Sequence, residues 1–378
     1  MTEGGYPAAR AAALRIQPHF IHHLTGGTDE ADRGNLVPDL EAAEAIVSAA
    51  FWASLRREEA WTPRVSLAFI TPEHVEGALK FERPILLESL ALTRLAPAVE
   101  RPGIHLGVRR EEGALWIWGA LRQLPASCFV LEVIAPGHLV IKQSRGEESG
   151  KFINVAVLEG ERIKIIDQQA ATEPDCPALL KSLLGLDSQF APVDSVNVLI
   201  RMAASMRAHG RGGSLLVVPA GTREWEESIL KPITYSVMPA YSALADLMQE
   251  DAREKRRLRW QGAVGNVLEG IAGLTAVDGA TLIDDGYQVL AFGVKIIRPL
   301  GSHQVQQVIV TEPIEGSTGT VEEPSQLGGT RHLSAAQFAH DQRNGIALVA
   351  SQDGRFTVFG WSPREDMVHA HRIEALLL

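Results

Sequence analysis

The sequence predicts an α/β (α+β) protein, in which a larger N-terminal region with a mostly antiparallel sheet precedes a C-terminal domain with a mixed central sheet flanked by helices. Three observations predict it. Helical apolar spacing alternates with short β-rich runs along most of the chain. Between Ile104 and Asp167 such runs follow one another with only tight turns between them. Beyond about residue 250, hairpin signals and further short runs surround helical stretches.

In chain order, Leu40 to Leu55 repeats Ala, Ile, Val and Phe at helical intervals, and Val65 to Ile70 is a short apolar run suited to a strand. Strand signals follow at Ile104–Val108, Leu115–Trp118, Cys128–Ile134, Leu139–Lys142, Phe152–Val157 and Ile163–Ile166, divided by Glu111-Glu112-Gly113, Pro136-Gly137 and Glu159-Gly160. Helices are expected at Ala178–Leu186, opened after Pro177, and at Val196–His209, closing on Gly210. Gly212-Gly213-Ser214 then leads as a turn into Leu215 to Val218, a buried strand ended by Pro219.

Tyr235 to Arg259 has helical spacing, and the principal boundary is placed within it: residues 1–250 form the N-terminal region, with room for subdomains of about 1–170 and 171–250, and 251–378 form the C-terminal domain. There, Gly262–Ile271 continues the helix. Thr281–Ile283 and Gln288–Phe292 make a hairpin around Asp284-Asp285-Gly286, and Val305–Val310 is a strand. Glu312 to Gly329 reads as one long mobile loop. Ser334–Gln342 is a helix, and Ile346–Ala350 and Phe356–Phe359 are strands around Gln352-Asp353-Gly354. Gly107–Gly119 and Gly279–Gly293 echo each other: a strand, an acidic turn with glycine, and a strand ending in Trp118-Gly119 or Phe292-Gly293.

At 378 residues the chain is long enough for two or three domains. Its net charge of -10 opposes non-specific nucleic-acid binding, and the basic run Arg253–Arg259 is too short to change that. Two cysteines, Cys128 and Cys176, make neither a disulfide framework nor a zinc site, which suits a reducing cytoplasm. No apolar stretch reaches the ~18–20 residues that span a bilayer, so a soluble protein without a membrane partner is expected. Neither a Gly-x-Ser-x-Gly elbow nor a Walker lysine motif is present. His19-x-x-His22-His23, near an N-terminus expected to be loose, and His369-x-His371, expected at the surface, lack partners at metal-ligand spacing.

Two elements carry chemistry. Asp278-Gly279-Ala280 sets an acid and a residue without a side chain just before a strand, where phosphates could approach the backbone; the same dipeptide is also common in plain turns. Gly329-Thr330-Arg331-His332 lies at or near a helix N-terminus, where free amides and the helix dipole favour anions. A hydroxyl, a permanent guanidinium and an imidazole add to them. A surface ion pair for Arg331 and a cap for His332 is the competing reading.

Asp-Gly-Ala before a strand, Phe292-Gly293 after a hairpin, and Gly-Thr-Arg-His beside a helix together resemble the DisA-type diadenylate cyclase (DAC) domain, over about Leu258 to Leu378. The resemblance implies a homodimer or higher homo-oligomer that joins two ATP into cyclic di-AMP, with Mg²⁺ or Mn²⁺ held by Asp278 and His332. It implies Asp278, Arg331 and His332 as catalytic residues, with Gly279, Ala280, Phe292, Gly293, Gly329, Thr330, Arg331 and Ser351 at the nucleotide. Upstream, Arg101–Asp167 and Gly212–Pro219 are similar to the sensor region called DACNV. Leu333 stands where the family carries a second arginine, and Gln352 where it carries a glutamate, so a weakened, nucleotide-sensing domain is the alternative.

Overall fold

The protein is described by a computed structural model covering residues 5–23, 34–57, 62–145, 152–167, 198–255 and 257–378. Two mixed sheets accompany two units, Met1–Ile166 with Leu378 and Asp167–Leu377. The principal division therefore falls at Ile166/Asp167 and not at 250/251. The expected subdomain limit near 170 is the main one, because strands assigned to 171–250 pair with C-terminal strands. The predicted helix 178–186 and Cys176 lie outside the described residues.

The first unit contains α1 (Pro7–His23), α2 (Leu40–Leu55) and α3 (Ser89–Val99). Its strands are β1 (Ser66–Phe69), β2 (Leu79–Leu86), β3 (His105–Glu111), β4 (Ala114–Leu121), β5 (Ala126–Ala135), β6 (His138–Arg145), β7 (Phe152–Glu159) and β8 (Arg162–Ile165). They are ordered β2-β4-β3-β1-β5-β6-β7-β8, with β1 and β3 parallel and the other pairs antiparallel. The mostly antiparallel sheet follows from the tight turns between β3 and β8, since parallel pairs need a crossover. Asp39 caps α2 by accepting a hydrogen bond from Ala42 N at 2.8 Å. Ile16 and Phe20 of α1 and Ile46 and Val47 of α2 join Leu67, Leu106, Phe129 and Leu131 in the core. The N-terminus expected to be loose is thus anchored by α1.

Among the described residues the second unit contains α4 (Val198–Ala208), β9 (Gly213–Val218), β10 (Tyr235–Tyr241), α5 (Ala243–Gln249), α6 (Leu258–Leu274), β11 (Ala280–Asp284) and β12 (Val289–Val294). It closes with β13 (Val308–Thr311), β14 (Thr320–Glu322), α7 (Pro324–Leu327), α8 (Thr330–Asp341), β15 (Ile346–Ala350), β16 (Phe356–Ser362) and β17 (Met367–Arg372). Sheet order is β10-β12-β11-β9-β15-β16-β17-β13-β14, with β9 parallel to β11 and β13 parallel to β17. Alternating residues of the central β9 serve both faces: Leu216 and Val218 join Ala335 and Phe338 of α8 in one core, and Leu215 and Val217 are buried as well.

Four segments differ from expectation. Tyr235–Tyr241 is an edge strand and not the start of a helix; Pro239 is tolerated because only β12 pairs with it. The stretch 312–329 contains β14 and α7, since Thr320–Glu322 pairs with β13 and Pro324 opens a helical turn. β17 buries His369 and His371, which were expected at the surface. Helix α8 begins at Thr330, four residues' worth of sequence before Ser334, so the Gly-Thr-Arg-His element is its first turn.

Candidate functional site

Asp278 sits between the end of α6 and β11, on a backbone that only glycine permits. Gly279 has φ +118°, and a Cβ there would lie 2.6 Å from the Gly293 carbonyl carbon and 2.7 Å from Val294 O. Gly293, at φ +62°, leaves room in turn for Tyr235, whose ring would lie 2.7 Å from a Cβ. Tyr235 stacks on Phe292 with centroids 4.8 Å apart and planes 3° apart. Asp278-Gly279-Ala280 and Phe292-Gly293 therefore form one packed corner, and Ala280 is buried in it. The Asp278 side chain is 93% exposed and accepts a hydrogen bond from Lys295 Nζ at 2.6 Å. That contact, with a smaller contribution from Arg331, holds its carboxyl below the usual range.

Opposite this acid stands the start of α8. Gly329 is the N-cap and contributes no side-chain cap; His332 N donates to Gly329 O at 3.0 Å, which leaves the Thr330 and Arg331 amides for another acceptor at the positive end of the helix dipole. Thr330 and Arg331 follow. Among the described residues Arg331 has no ion-pair partner. Gly212, at φ +69°, passes close beneath it: a Cβ there would come within 3.1 Å of Arg331 Nη1. His332 is buried, meets Phe359 edge-on at 6.0 Å, and among the described residues its Nε2 has no hydrogen-bond partner. Burial lowers its pKa, so the ring is neutral at pH 7. A Cβ on Gly328 would fall 2.4 Å from His332 Nδ1, so that glycine makes room for the imidazole.

The turn from β15 to β16 supplies the third side. Ser351 N donates to Arg355 O at 2.9 Å and Gly354 N to Ser351 O at 3.2 Å, tightening the turn. Arg355 Nε pairs with Asp353 Oδ2 at 3.3 Å. The three elements line an open cleft of about 580 Å³ that brings Asp278 together with Gly329, Thr330, Arg331, His332 and Ser351. Its size is within the range of small-molecule sites. Gly279, Ala280, Phe292 and Gly293 are not in its lining; they shape the corner that carries Asp278. Gln352, Asp353 and Arg355 also line it.

Lys295 and Arg355 belong to the site without a motif that marks them in the sequence. Lys295 follows Phe292-Gly293 by two residues but reaches Asp278 only because β12 folds back along β11. Arg355 was hidden in an ordinary acidic turn.

Asp278 offers a divalent cation an exposed carboxylate that already holds Lys295, whereas Nε2 of His332, the other expected donor, has no hydrogen-bond partner among the described residues but is buried from solvent. Among the described residues no group of three His, Cys, Asp or Glu side chains could hold a metal ion. Two side chains make at most a partial ligand set, and Mg²⁺ bound by so few protein groups takes its other ligands from phosphate oxygens and water.

Residues 32–122 match a family model described as "Probable sensor domain DACNV". The match lies wholly in the first unit. It overlaps the expected 101–167 only at 101–122 and excludes Gly212–Pro219, which is β9 of the second unit. A comparison with curated proteins gives no match. A crystal structure described as a hypothetical membrane spanning protein from Bacillus cereus is similar over 50% of this chain and 67% of that one, at 16% identity and a TM-score of 0.27, too low to carry an argument. Among the described residues no helix is long and apolar enough to cross a membrane.

Proposed function

We propose that the chain is a diadenylate cyclase whose second unit binds ATP in this pocket and whose first unit is its regulatory sensor. One observation carries the reading: the uncapped start of α8, with Arg331 and His332, which among the described residues have no ion-pair partner and no hydrogen bond at Nε2 respectively, lines one pocket with Asp278. Such a site is built for a phosphorylated ligand. The DACNV-like match adds support, because that sensor domain occurs in DisA-like diadenylate cyclases. A cytoplasmic location belongs to the same reading, and cell fractionation would check it.

In the reaction each ATP 3′-oxygen bonds to the α-phosphorus of the other ATP. The bond from that phosphorus to the β-phosphate bridge breaks, two pyrophosphates leave, and the hydroxyl protons pass to water. Two sites must therefore face each other in a homodimer, and positioning does most of the catalytic work. Arg331, the α8 amides and Thr330 hold phosphate oxygens. Mg²⁺ or Mn²⁺, held by Asp278 and His332 with the phosphates, would neutralise charge on the departing pyrophosphate.

Incubating the full chain with ATP and either metal, and following cyclic di-AMP and pyrophosphate by mass spectrometry, tests this. No product with either metal overturns catalysis. A second reading, a nucleotide sensor without turnover, is favoured by the Asp278–Lys295 pair and by the lack of an arginine at Leu333. ATP binding without product would establish it.

A further inference from the structure

We infer that the two units are copies of one fold and that only the second copy keeps a nucleotide site, so that one chain binds one ATP. The inference rests on the pocket assigned above. Seven strands correspond in order and direction, β2-β4-β3-β1-β5-β6-β7 with β10-β12-β11-β9-β15-β16-β17. In each sheet an antiparallel edge strand precedes a hairpin, the hairpin's first strand runs parallel to the central strand, and an antiparallel meander completes the other side. The chain also visits the strands alike: helix, central strand, short 3₁₀ turn (Pro72–His74 or Glu224–Ser228), edge strand, a helical connection (Ser89–Val99 in the first unit; Ala243–Gln249, Ala252–Lys255 and Leu258–Leu274 in the second), hairpin. General rules of connection still leave a handful of other orders open.

Local detail agrees. Both hairpins lose register beside an aromatic-glycine pair, between Gly107 and Val108 opposite Trp118, and between Ala280 and Leu282 opposite Phe292-Gly293. Each of those glycines lies against its edge strand: a Cβ on Gly119 would strike Leu79 O at 2.1 Å, and one on Gly293 the Tyr235 ring at 2.7 Å.

Superposing these irregularities locates the first unit's counterpart of each pocket wall. Leu106, paired with Ala120, takes the place of Ala280, paired with Val294, so Ile104-His105 replaces Asp278-Gly279. His105 is buried and shares a 2.7 Å hydrogen bond with Ser66. The charged turn Gln352 to Arg355 becomes Pro136-Gly137 between β5 and β6, where Gly137 N donates to Ser54 Oγ at 2.9 Å. Helix α8 has no counterpart, because β4 and β5 are joined by Arg122–Pro125 alone. The first copy thus lacks the acid, the guanidiniums and the helix N-terminus together.

Calorimetric titration of the full chain with a non-hydrolysable ATP analogue and Mg²⁺ tests this. The expected result is one analogue per chain, with Arg331→Ala weakening it at least tenfold and revealing no second class of site. Two analogues per chain, or a full-affinity site surviving in Arg331→Ala, overturns the inference. No binding by the unaltered chain removes the pocket assignment itself, and this inference with it.

A different observation, the charge balance of the pocket, independently carries a second inference: we propose that Arg355 is a phosphate-binding residue that makes the site select polyphosphates. Of the two lining carboxylates, Asp278 is paired with Lys295 and Asp353 with Arg355, which leaves Arg331 as excess positive charge. Arg355 approaches Asp353 through Nε at 3.3 Å, and among the described residues no hydrogen bond holds its terminal nitrogens. One phosphate satisfies the α8 turn and Arg331; a second engages Arg355.

Binding of ATP and AMP to Arg355→Ala, Asp353→Asn and the double variant decides the matter. Arg355 and Asp353 are about half exposed on a turn, so the variants are expected to fold. ATP affinity falls about ten- to a hundredfold in Arg355→Ala and stays low in the double variant, with AMP little changed. Recovery of ATP affinity in the double variant would show that Arg355 only neutralises Asp353 and would overturn the proposal, as would equal losses for ATP and AMP.

Discussion

Asp278 and Lys295 join the start of β11 to the residue after β12 through a 2.6 Å hydrogen-bonded ion pair. The pair is exposed, so its value lies in orienting and charging the carboxylate more than in stability. Asp278→Asn is expected to abolish cyclic di-AMP formation by a folded protein, and unchanged turnover would remove Asp278 from the site. Lys295→Met is expected to raise the Asp278 pKa, read by carboxyl ¹³C NMR titration, because its largest lowering influence is gone.

The corner that holds Asp278 depends on two glycines with positive φ. Gly279→Ala and Gly293→Ala should each cost about 1–3 kcal/mol in urea denaturation, from strained backbone and forced contact with Gly293 or Tyr235. A wild-type midpoint in either variant would contradict that geometry.

Leu333 lies half-buried in the first turn of α8, next to His332. Leu333→Arg is expected to raise ATP affinity by roughly tenfold through an added charge-assisted contact. Weaker binding in a folded variant would assign Leu333 a packing role.

Buried histidines make stability fall in acid. Burial chiefly lowers the pKa of His105 to about 4 and of His371 to about 3. Each is neutral when folded, while the unfolded chain takes up the proton near pH 6.5, so their contributions are complete above 6.5 and are lost on acidification toward those values. Each adds a slope of up to about 1.4 kcal/mol per pH unit in that window. Denaturation midpoints across pH should show a flatter profile in His371→Asn; an unaltered slope would place the proton uptake elsewhere.

Phe338 is fully buried on α8, against the sheet. Phe338→Ala should destabilise the second unit by about 3–5 kcal/mol and weaken ATP binding, since the same helix carries Thr330, Arg331 and His332. Stability loss with intact affinity would separate the helix packing from the site.

Much of this was legible in short segments. The hairpins at 281–292 and 346–359 and the strands between 104 and 166 announce themselves because alternation and turn chemistry act over a few residues. Asp278 and Gly329 to His332 stood out as small-residue and charged motifs, and the pocket brings them together. Tyr235–Tyr241 misled because an edge strand exposed on both sides has no strict alternation to read. The histidines of β17 misled because polar side chains inside a sheet carry no local sign of burial.

By itself the sequence determined the α/β class, most strands and the candidate groups, all consequences of local periodicity and residue chemistry. Tertiary structure decided the division at Ile166/Asp167, the pairing of Lys295 with Asp278, the arrival of Arg355 in the pocket and the repeated strand order. Those depend on hydrogen bonds and ion pairs between residues distant in the chain, whose partners are chosen by sheet register and crossover and not by neighbouring sequence.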